Sequence, residues 1–207
     1  EALRRIAGVD LIVGTEHKMQ VAELVEFPQK LGQPRVVHSQ KISRGDFSVE
    51  GVGLYVGHTR ANLKMQDGCN FACAFCIIPF TRGGARSRKL DDIIREAHGL
   101  VARGHRELVL TGVNLGTYSS EGHDLLRVIQ ALEGVDGLER LRISSIEPTT
   151  VPEAVVEWMA TSSKLCPYLH VPVQSGDDQV LQRMKRHYTR TAFAAFVEGV
   201  VRRVPHI

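Results

Sequence analysis

The chain has 207 residues, of which 43% are hydrophobic, 24% charged and 6% aromatic. This composition is typical of a globular protein and excludes a disordered chain, collagen and a coiled coil. The net charge of +3 permits an anionic partner without requiring one. No apolar run approaches the roughly 20 residues that span a bilayer, and the charged residues 1–5 lead into too short an apolar stretch for a signal peptide. We therefore expect a cytoplasmic protein without a membrane anchor.

The amino-terminal part of the chain predicts only a small α/β piece. Its pattern indicates a helix end at residues 3–6, a strand at 9–14 and a helix at 19–27. Because such a piece is too short to bury a core of its own, we interpret residues 1–27 as the tail of a preceding domain. Glycines, prolines and serines interrupt residues 28–59, which favours a linker with at most one strand.

Residues 60–207 alternate short apolar runs with helical patterns. This alternation predicts βαβ units with a parallel sheet, as in an α/β barrel or an open doubly wound sheet. The last helix ends where another strand would begin, and an incomplete parallel sheet would leave an apolar edge, so we expect a truncated chain and a partial barrel. The predicted strands are 61–65, 107–113, 140–146 and 169–173, and the predicted helices are 90–102, 124–132, 153–160 and 192–204.

Three of the four cysteines lie together directly after the first strand of this repeat. Cys69, Cys73 and Cys76 fall within eight residues, which is too close for a disulfide framework. Loops that follow strands build the active face of an α/β barrel, and thiolates are the soft ligands that zinc and iron–sulfur clusters select. The spacing therefore favours a metal or cluster site at the barrel mouth.

Two other interpretations of these cysteines stay open. A structural zinc site normally pairs two knuckles, and the chain has no second one because Cys166 stands alone. Buried structural cysteines would account for one or two thiols more easily than for three on a glycine-led loop. We interpret Cys166 itself as a buried apolar residue rather than a ligand.

The pattern Cys-x-x-x-Cys-x-x-Cys after the first strand of a βα repeat resembles the radical S-adenosylmethionine (SAM) superfamily. The resemblance implies a [4Fe-4S] cluster in which Cys69, Cys73 and Cys76 hold three irons. The fourth iron is then open to the amino and carboxylate groups of SAM. The implied chemistry is transfer of one electron to SAM, which releases methionine and a radical that abstracts hydrogen.

Further motifs are similar to one family within that superfamily. LKMQDGCN at residues 63–70, CIIPFTRG at 76–83 and RSR at 86–88 resemble the methylthiotransferases, and the likeness covers nearly all of 60–204. VLTGVNLG at 109–116 and ISSIEP at 143–148 resemble the branch that acts on threonylcarbamoyladenosine in tRNA. The resemblance implies addition of a methylthio group at C2 of that adenosine. The branches that act on isopentenyladenosine in tRNA or on a ribosomal-protein aspartate share the cysteine loop.

The resemblance also implies a set of SAM contacts at the strand ends. Gln174, at the end of the fourth strand, lies twelve positions before Arg186, which we place on the following helix. An arginine can grip a carboxylate through two parallel hydrogen bonds. Each of three contacts has an alternative interpretation. Phe75 could pack into the core as an ordinary loop aromatic, and Glu147 before Pro148 could simply end a strand. Arg186 could belong to a solvated basic run. His170 is interpreted as a satisfied strand residue. The implied SAM contacts are Phe75, Thr111, Gly112, Asn114, Ser144, Glu147, Gln174 and Arg186.

Basic residues flank the predicted mouth and indicate an anionic partner. Arg82, Arg86, Arg88 and Lys89 follow the cysteine loop, and a second basic run spans 183–190. Such residues neutralise phosphates of RNA, although an ordinary solvated surface would have the same pattern. The family implies tRNA as partner and a flavodoxin or ferredoxin as electron donor.

Members of that family carry two further parts, of which this sequence is expected to contain only the tail of the first, at residues 1–27. One is an amino-terminal domain with a second three-cysteine cluster, and the other is a carboxy-terminal RNA-binding barrel. No cysteine precedes Cys69, so we expect the chain alone to bind one cluster and not to complete methylthiolation. The alternative functions are a radical SAM enzyme of another class and a non-catalytic, metal-stabilised RNA-binding module.

Overall fold

The structure is a computed structural model, and it describes residues 2–26, 32–39, 42, 47 and 57–207. Two short parallel strands organise the amino-terminal part, with Ile12 opposite Val36. The second strand lies inside the predicted linker, where one strand was expected; the domain boundaries stay predictions. The described elements here are 3-10 turns at Ala2–Arg5 and Thr15–Gln20, strands β1 (Leu11–Val13) and β2 (Arg35–Val37), and helix α1 (Val21–Val25).

Two amino-terminal predictions are wrong in extent. The strand predicted at 9–14 has three residues, and the helix predicted at 19–27 begins as a 3-10 turn and is α-helical only over Val21–Val25. Phe27 lies outside the described residues. Helix α1 buries no side chain, and a helix this short gains too little from its own hydrogen bonds to extend without packing.

The remainder of the chain alternates strands with helices, as predicted. The long helices lie between and after the three strands of the main sheet, and a two-stranded ribbon is inserted after the first of these strands. The elements are β3 (Arg60–Lys64), β4 (Gln66–Asp67), α2 (Ile78–Arg82), β5 (Arg86–Ser87), α3 (Leu90–Ala102), β6 (Glu107–Thr111), α4 (Leu125–Glu133), β7 (Arg140–Ile143), α5 (Glu153–Thr161), α6 (Asp178–Arg183) and α7 (Arg190–Arg203).

Strands β3, β6 and β7 form a parallel sheet in that order. Leu63 lies opposite Leu110, which in turn lies opposite Ile143. Helices α3 and α4 connect these strands, so the chain builds βαβ units and the predicted α/β fold is confirmed. The carboxyl ends of the three strands meet at one edge of the sheet, where the loops after β3, β6 and β7 build the site described below.

The two faces of the sheet differ in polarity. Glu107 lies on the polar face and forms ion pairs with Arg60, Arg140 and Arg142 at 2.9–3.1 Å. The apolar face packs against α3, α4 and α5 in one hydrophobic core, because side chains alternate along a strand. The strand residues of that core are Ala61, Leu63, Leu108, Leu110, Leu141 and Ile143.

Helix α3 has the bounds that its apolar spacing predicts. It buries Leu90, Ile93, Ala97 and Leu100 along one side, which is the stripe expected for a helix that covers a sheet. Gly104 follows the helix with a φ of 96°, and its N–H donates to the Val101 carbonyl at 2.9 Å. This is the predicted glycine cap. In the described parts of the chain, no helix is long and apolar enough to cross a lipid bilayer.

The fourth predicted strand, residues 169–173, is not a regular strand. The chain runs beside β7 and the residues after it through isolated parallel bridges, Leu141 to Leu165 just before the segment and Ser145 to His170 within it. Pro172 lies in the middle of the segment and has no N–H to donate, so a continuous ladder cannot form there. The segment still takes the position next to β7 that the prediction assigned to it.

Candidate active site

The cysteine loop is closed at its base by a small antiparallel ribbon. Strand β4 pairs with β5, so that Gln66 lies opposite Ser87, and the Cys69 N–H donates to the Gly83 carbonyl at 3.1 Å. Gly68 has a φ of 70°, and a Cβ there would lie 2.0 Å from the Gly84 oxygen. A side chain at position 68 would therefore force the two ends of the loop apart.

All three predicted ligand cysteines line one cleft at the carboxyl end of the sheet. The cleft has a volume of about 190 Å³. Burial raises the pKa of the Cys69 thiol, although the Phe71 N–H donates to its sulfur at 3.4 Å and opposes the shift. The lining residues are Cys69, Phe71, Cys73, Phe75, Cys76, Val113, Asn114, Ser145, Ile146, Glu147, Pro172, Gln174 and Arg186.

Arg186 and Glu147 form an ion pair inside the cleft. Arg186 Nη1 donates to Glu147 Oε2 at 3.0 Å and lies 3.4 Å from Cys73 Sγ. The guanidinium also lies over the Phe75 ring, 5.5 Å from its centroid. Burial raises the pKa of Glu147, and the neighbouring Arg186 opposes the rise. The sequence reading placed Arg186 on a helix, whereas it follows the carboxyl end of α6.

Asn114 and Gln174, both predicted SAM contacts, reach the cleft from two different loops. Asn114 Oδ1 accepts from Thr150 Oγ1 at 2.9 Å, while its Nδ2 is buried and has no hydrogen-bond partner among the described residues. Gln174 has a φ of 66°, which is uncommon for a residue with a side chain and is found at functional sites.

Three of the predicted SAM contacts do not line the cleft. Thr111 ends β6, and a Cβ on Gly112 would lie 2.8 Å from Gln66 Oε1, so Gly112 is where the chain packs against Gln66. At the end of β7 the cleft residue is Ser145 rather than Ser144. Ser145 Oγ lies 2.7 Å from His170 Nδ1, which agrees with a satisfied His170.

Several site residues were missed by sequence reasoning. Val113, Ile146 and Pro172 are apolar and carry no chemical signal that marks them as site residues. Phe71 lies in the cysteine loop, where its aromatic ring could have been noticed; the ring contacts His187 edge-on at 5.6 Å between centroids. Gln66 does not line the cleft, but it contacts two of the loops that form it.

The four residues predicted to bind RNA have different environments, and the prediction is wrong for Arg88. Its side chain is completely buried and paired with Asp92 at 2.8 Å and with Glu96. Because a buried guanidinium cannot reach a phosphate, Arg88 is a structural residue. Arg86 is also largely buried, with a side chain 7% exposed, whereas Arg82 and Lys89 are about half exposed.

A buried carboxylate next to the cysteine loop collects four cations. Asp67 is paired with Lys18, Lys64, Arg82 and Arg86 at 3.2–3.6 Å. Burial alone would raise the pKa of Asp67, but the charges and hydrogen bonds of Lys64 and Lys18 lower it to about 2. Asp67 is therefore ionised at neutral pH, and it ties the amino-terminal part of the chain to the base of the loop.

Comparison with known proteins identifies the family. The sequence profile of the radical SAM superfamily matches residues 63–205, which is most of the chain and contains every cleft residue. The chain belongs to the radical SAM superfamily. The resemblance that the cysteine spacing indicated is thus confirmed.

Curated relatives of this radical SAM chain are methylthiotransferases, a class of transferase. The predicted resemblance to the methylthiotransferase family is confirmed. One is the threonylcarbamoyladenosine tRNA methylthiotransferase MtaB of Bacillus subtilis, 36% identical over 203 residues. Another is the tRNA-2-methylthio-N(6)-dimethylallyladenosine synthase of Cereibacter sphaeroides, 36% identical over 200 residues. Both alignments cover 97% of this chain and 45% of the relative. The chain spans slightly less than half the length of these relatives.

Solved structures of radical SAM enzymes share the fold. The methyltransferase TsrM of Kitasatospora setae, with cobalamin and a [4Fe-4S] cluster bound, aligns with a TM-score of 0.54 at 19% identity. The alignment covers 69% of this chain and 29% of TsrM. The cobalamin-dependent enzyme OxsB aligns with a TM-score of 0.56 at 14% identity over 67% of this chain and 22% of OxsB.

The cofactors of the superfamily are a [4Fe-4S] cluster and SAM, and the residues of the radical SAM cleft fit both. Within the described residues no three His, Cys, Asp or Glu side chains converge to hold a single metal ion. Cluster thiolates bind different irons, which suits three thiols that line one cleft without converging on a single point. Arg186 Nε and Asn114 Nδ2 are buried at the cleft without partners among the described residues, as donors reserved for a polar ligand would be.

Proposed function

We propose that the protein is a radical SAM tRNA methylthiotransferase that adds a methylthio group at C2 of threonylcarbamoyladenosine in tRNA. One observation carries this proposal: Cys69, Cys73 and Cys76 share a cleft with the buried Arg186–Glu147 pair. The relationship to methylthiotransferases supports the reaction class, and the motifs at residues 109–116 and 143–148 support the choice of adenosine.

The three cysteines would hold the cluster, and the charged pair would hold SAM. The amino-acid end of SAM carries one carboxylate and one ammonium group. Arg186 matches the carboxylate, since it is a permanent cation with a buried free donor. Glu147 matches the ammonium group when it is ionised, and the adjacent guanidinium favours that state.

Phe75 would support the apolar part of the ligand. The residue is 56% exposed and the Arg186 guanidinium lies over its ring, so a nucleobase can stack on the open face. The bound cluster would supply the electron that opens a carbon–sulfur bond of SAM, the source of the radical chemistry of this superfamily. The chain's own contribution is to hold, orient and shield the reactants.

A second candidate substrate is dimethylallyladenosine in tRNA. The relatives that act on it are as similar to this chain, at 36% identity, as the one named for threonylcarbamoyladenosine. Both candidates imply tRNA as partner, a one-electron donor such as flavodoxin or ferredoxin, and action in the cytoplasm. Arg82 and Lys89 are our remaining candidates for phosphate contacts, since about half of each side chain is exposed.

Anaerobic reconstitution tests the reaction class. We expect the purified protein to take up iron and sulfide, turn brown and cleave SAM after reduction. Cys73→Ala abolishes both properties, whereas Cys166→Ala, the matched control, keeps them. A colourless zinc protein inert to SAM would favour the non-catalytic RNA-binding module instead.

Nucleoside analysis tests the substrate. We expect tRNA from a strain that lacks the gene to lose the 2-methylthio form of threonylcarbamoyladenosine. Threonylcarbamoyladenosine without the methylthio group should accumulate in its place. Loss of the methylthio form of dimethylallyladenosine would assign the second candidate. If the methylthio nucleosides of that strain are unchanged while the purified protein cleaves SAM, the protein is a radical SAM enzyme of another class.

A further inference from the structure

Gln66 is a completely buried polar side chain that uses all of its hydrogen-bonding capacity. It belongs to β4, at the base of the cysteine loop, and none of its surface is exposed. Its amide nitrogen donates to the carbonyls of Asp67 at 3.1 Å and Gly68 at 2.8 Å. Its amide oxygen accepts from the backbone N–H groups of Val113 at 2.7 Å and Asn114 at 3.0 Å.

These four bonds connect two loops that are distant in sequence. Gly68 leads directly into Cys69, while Val113 and Asn114 belong to the loop after β6, and Cys69, Val113 and Asn114 all line the cleft. Burial of a polar amide costs little stability when all its hydrogen bonds are made. Removal of the Gln66 amide would leave several buried backbone groups without a partner. The Gln66 side chain therefore holds the two loops at one separation.

The neighbouring residues are shaped around this contact. A Cβ on Gly112 would lie 2.8 Å from Gln66 Oε1 and 2.9 Å from Gln66 Cβ, so only glycine admits the side chain. Asn114 in turn accepts from the Glu147 N–H at 3.4 Å and from Thr150. The contact thus extends from the base of the cysteine loop to the residue that pairs with Arg186.

We propose that Gln66 is a positioning residue that sets the distance between the cluster-binding cysteines and the loop at Val113 and Asn114, which contributes to the SAM-binding part of the cleft. The proposal rests on the proposed function for the identity of the ligand. The connection between the loops does not depend on the proposed function, because the four hydrogen bonds of Gln66 make it by themselves.

The test compares Gln66→Met with Gln130→Met. Methionine keeps the approximate size and removes the four hydrogen bonds, and Gln130 is a partly buried residue on α4 that lies outside the cleft lining. In the cofactor-free protein we expect amide exchange at Val113 and Asn114 to become about tenfold faster or more in Gln66→Met. In the reconstituted protein we expect the Kd for SAM to rise about tenfold at unchanged iron content. Gln130→Met changes neither.

The proposal is overturned if exchange at these two amides stays at the wild-type rate, or if it quickens while SAM affinity matches that of Gln130→Met. Absence of SAM binding in the wild-type protein would refute the proposed function, and the exchange data on the cofactor-free protein would still decide the connection between the loops.

Gln66→Glu keeps the test decisive if Gln66→Met does not fold. In this variant one carboxyl oxygen still accepts from Val113 and Asn114, and the other can donate at most one hydrogen bond where the amide nitrogen donates two, to the carbonyls of Asp67 and Gly68. We expect amide protection to persist at Val113 and Asn114 and to fall at Cys69. Equal loss of protection along the whole chain would contradict the positioning role.

Discussion

Arg186 and Glu147 bridge the cleft from two loops: Arg186 Nη1 lies 3.0 Å from Glu147 Oε2. The arginine follows α6 and the glutamate follows β7, and both side chains are less than 10% exposed. Removal of either partner of a buried ion pair destabilises a protein, because the remaining charge is left buried without its counterion. At this position it also presents a cation and an anion to one ligand.

The first prediction concerns Arg186→Lys. Lysine keeps the charge but lacks the planar fork, so it cannot contact Glu147, Cys73 and a ligand carboxylate together. We expect the Kd for SAM to rise about 10-fold to 100-fold at unchanged iron content, as measured by anaerobic calorimetry. Arg183→Lys, at an exposed position on α6, is the control. Equal affinities in the two variants would remove Arg186 from the SAM site.

The second prediction concerns Gly68→Ala. The alanine Cβ would enter the space of the Gly84 carbonyl, 2.0 Å away, and the residue would keep a φ of 70°. We expect a loss of about 3 kcal/mol in stability and a sharp fall in the iron taken up on reconstitution. Gly122→Ala is the matched control, since Gly122 has a φ of 81° with no atom within 4 Å of the added carbon.

Gly122→Ala should cost only about 1 kcal/mol and leave iron uptake unchanged. Thermal unfolding and iron analysis of both variants provide the comparison. Normal iron uptake in Gly68→Ala would mean that the ribbon does not hold the cysteine loop in its binding shape.

The third prediction concerns the pH dependence of stability through Glu107. Burial opposes ionisation, but hydrogen bonds from Arg142 and Arg140 lower the pKa of Glu107 below its ordinary value of 4.5. A depressed carboxyl pKa contributes stability that is present above the ordinary value and is lost as the pH falls through the folded-state value. Glu107 pairs with arginines of β3 and β7, so the contribution concerns the whole sheet.

Glu107→Gln tests this contribution. We expect it to lower the free energy of unfolding by about 2 kcal/mol at pH 7. The difference from wild type should shrink steadily as the pH falls below 4.5. Urea unfolding at several pH values measures both proteins, and a difference independent of pH would argue against an ionised Glu107.

The fourth prediction separates structural from surface cations after the cysteine loop. Arg88→Met removes the buried cation that pairs with Asp92 and Glu96. Asp92 keeps its pair with Arg95, whereas the Glu96 side chain is 5% exposed and loses the guanidinium beside it. We expect a loss of about 3 kcal/mol in unfolding free energy. Lys89→Met breaks an exposed pair with Glu121 and should cost less than about 1 kcal/mol. Equal stability of the two variants would contradict the buried role of Arg88.

Local sequence patterns were sufficient for much of the fold. The bounds of α3 follow from an apolar spacing and a glycine stop, and the three cysteines were recognisable because they lie within one short loop. Helical period and cysteine spacing are properties of neighbouring residues. The same patterns could not show that Arg88 points inward while Lys89 points outward, since charge alone does not report burial.

The sequence by itself determined the alternation of strands and helices, the position of the cysteine loop and the family to which the chain belongs. Only the tertiary structure decided which strand-end residues reach the cleft, that Gln66 contacts Val113 across 47 residues, and that Arg186 contacts Cys73 across 113. The physical reason is the sequence separation over which the interactions act. Periodicity encodes which face of an element is apolar, whereas the choice of Ser145 over Ser144, or a proline-interrupted segment in place of a fourth strand, depends on how separate elements pack together.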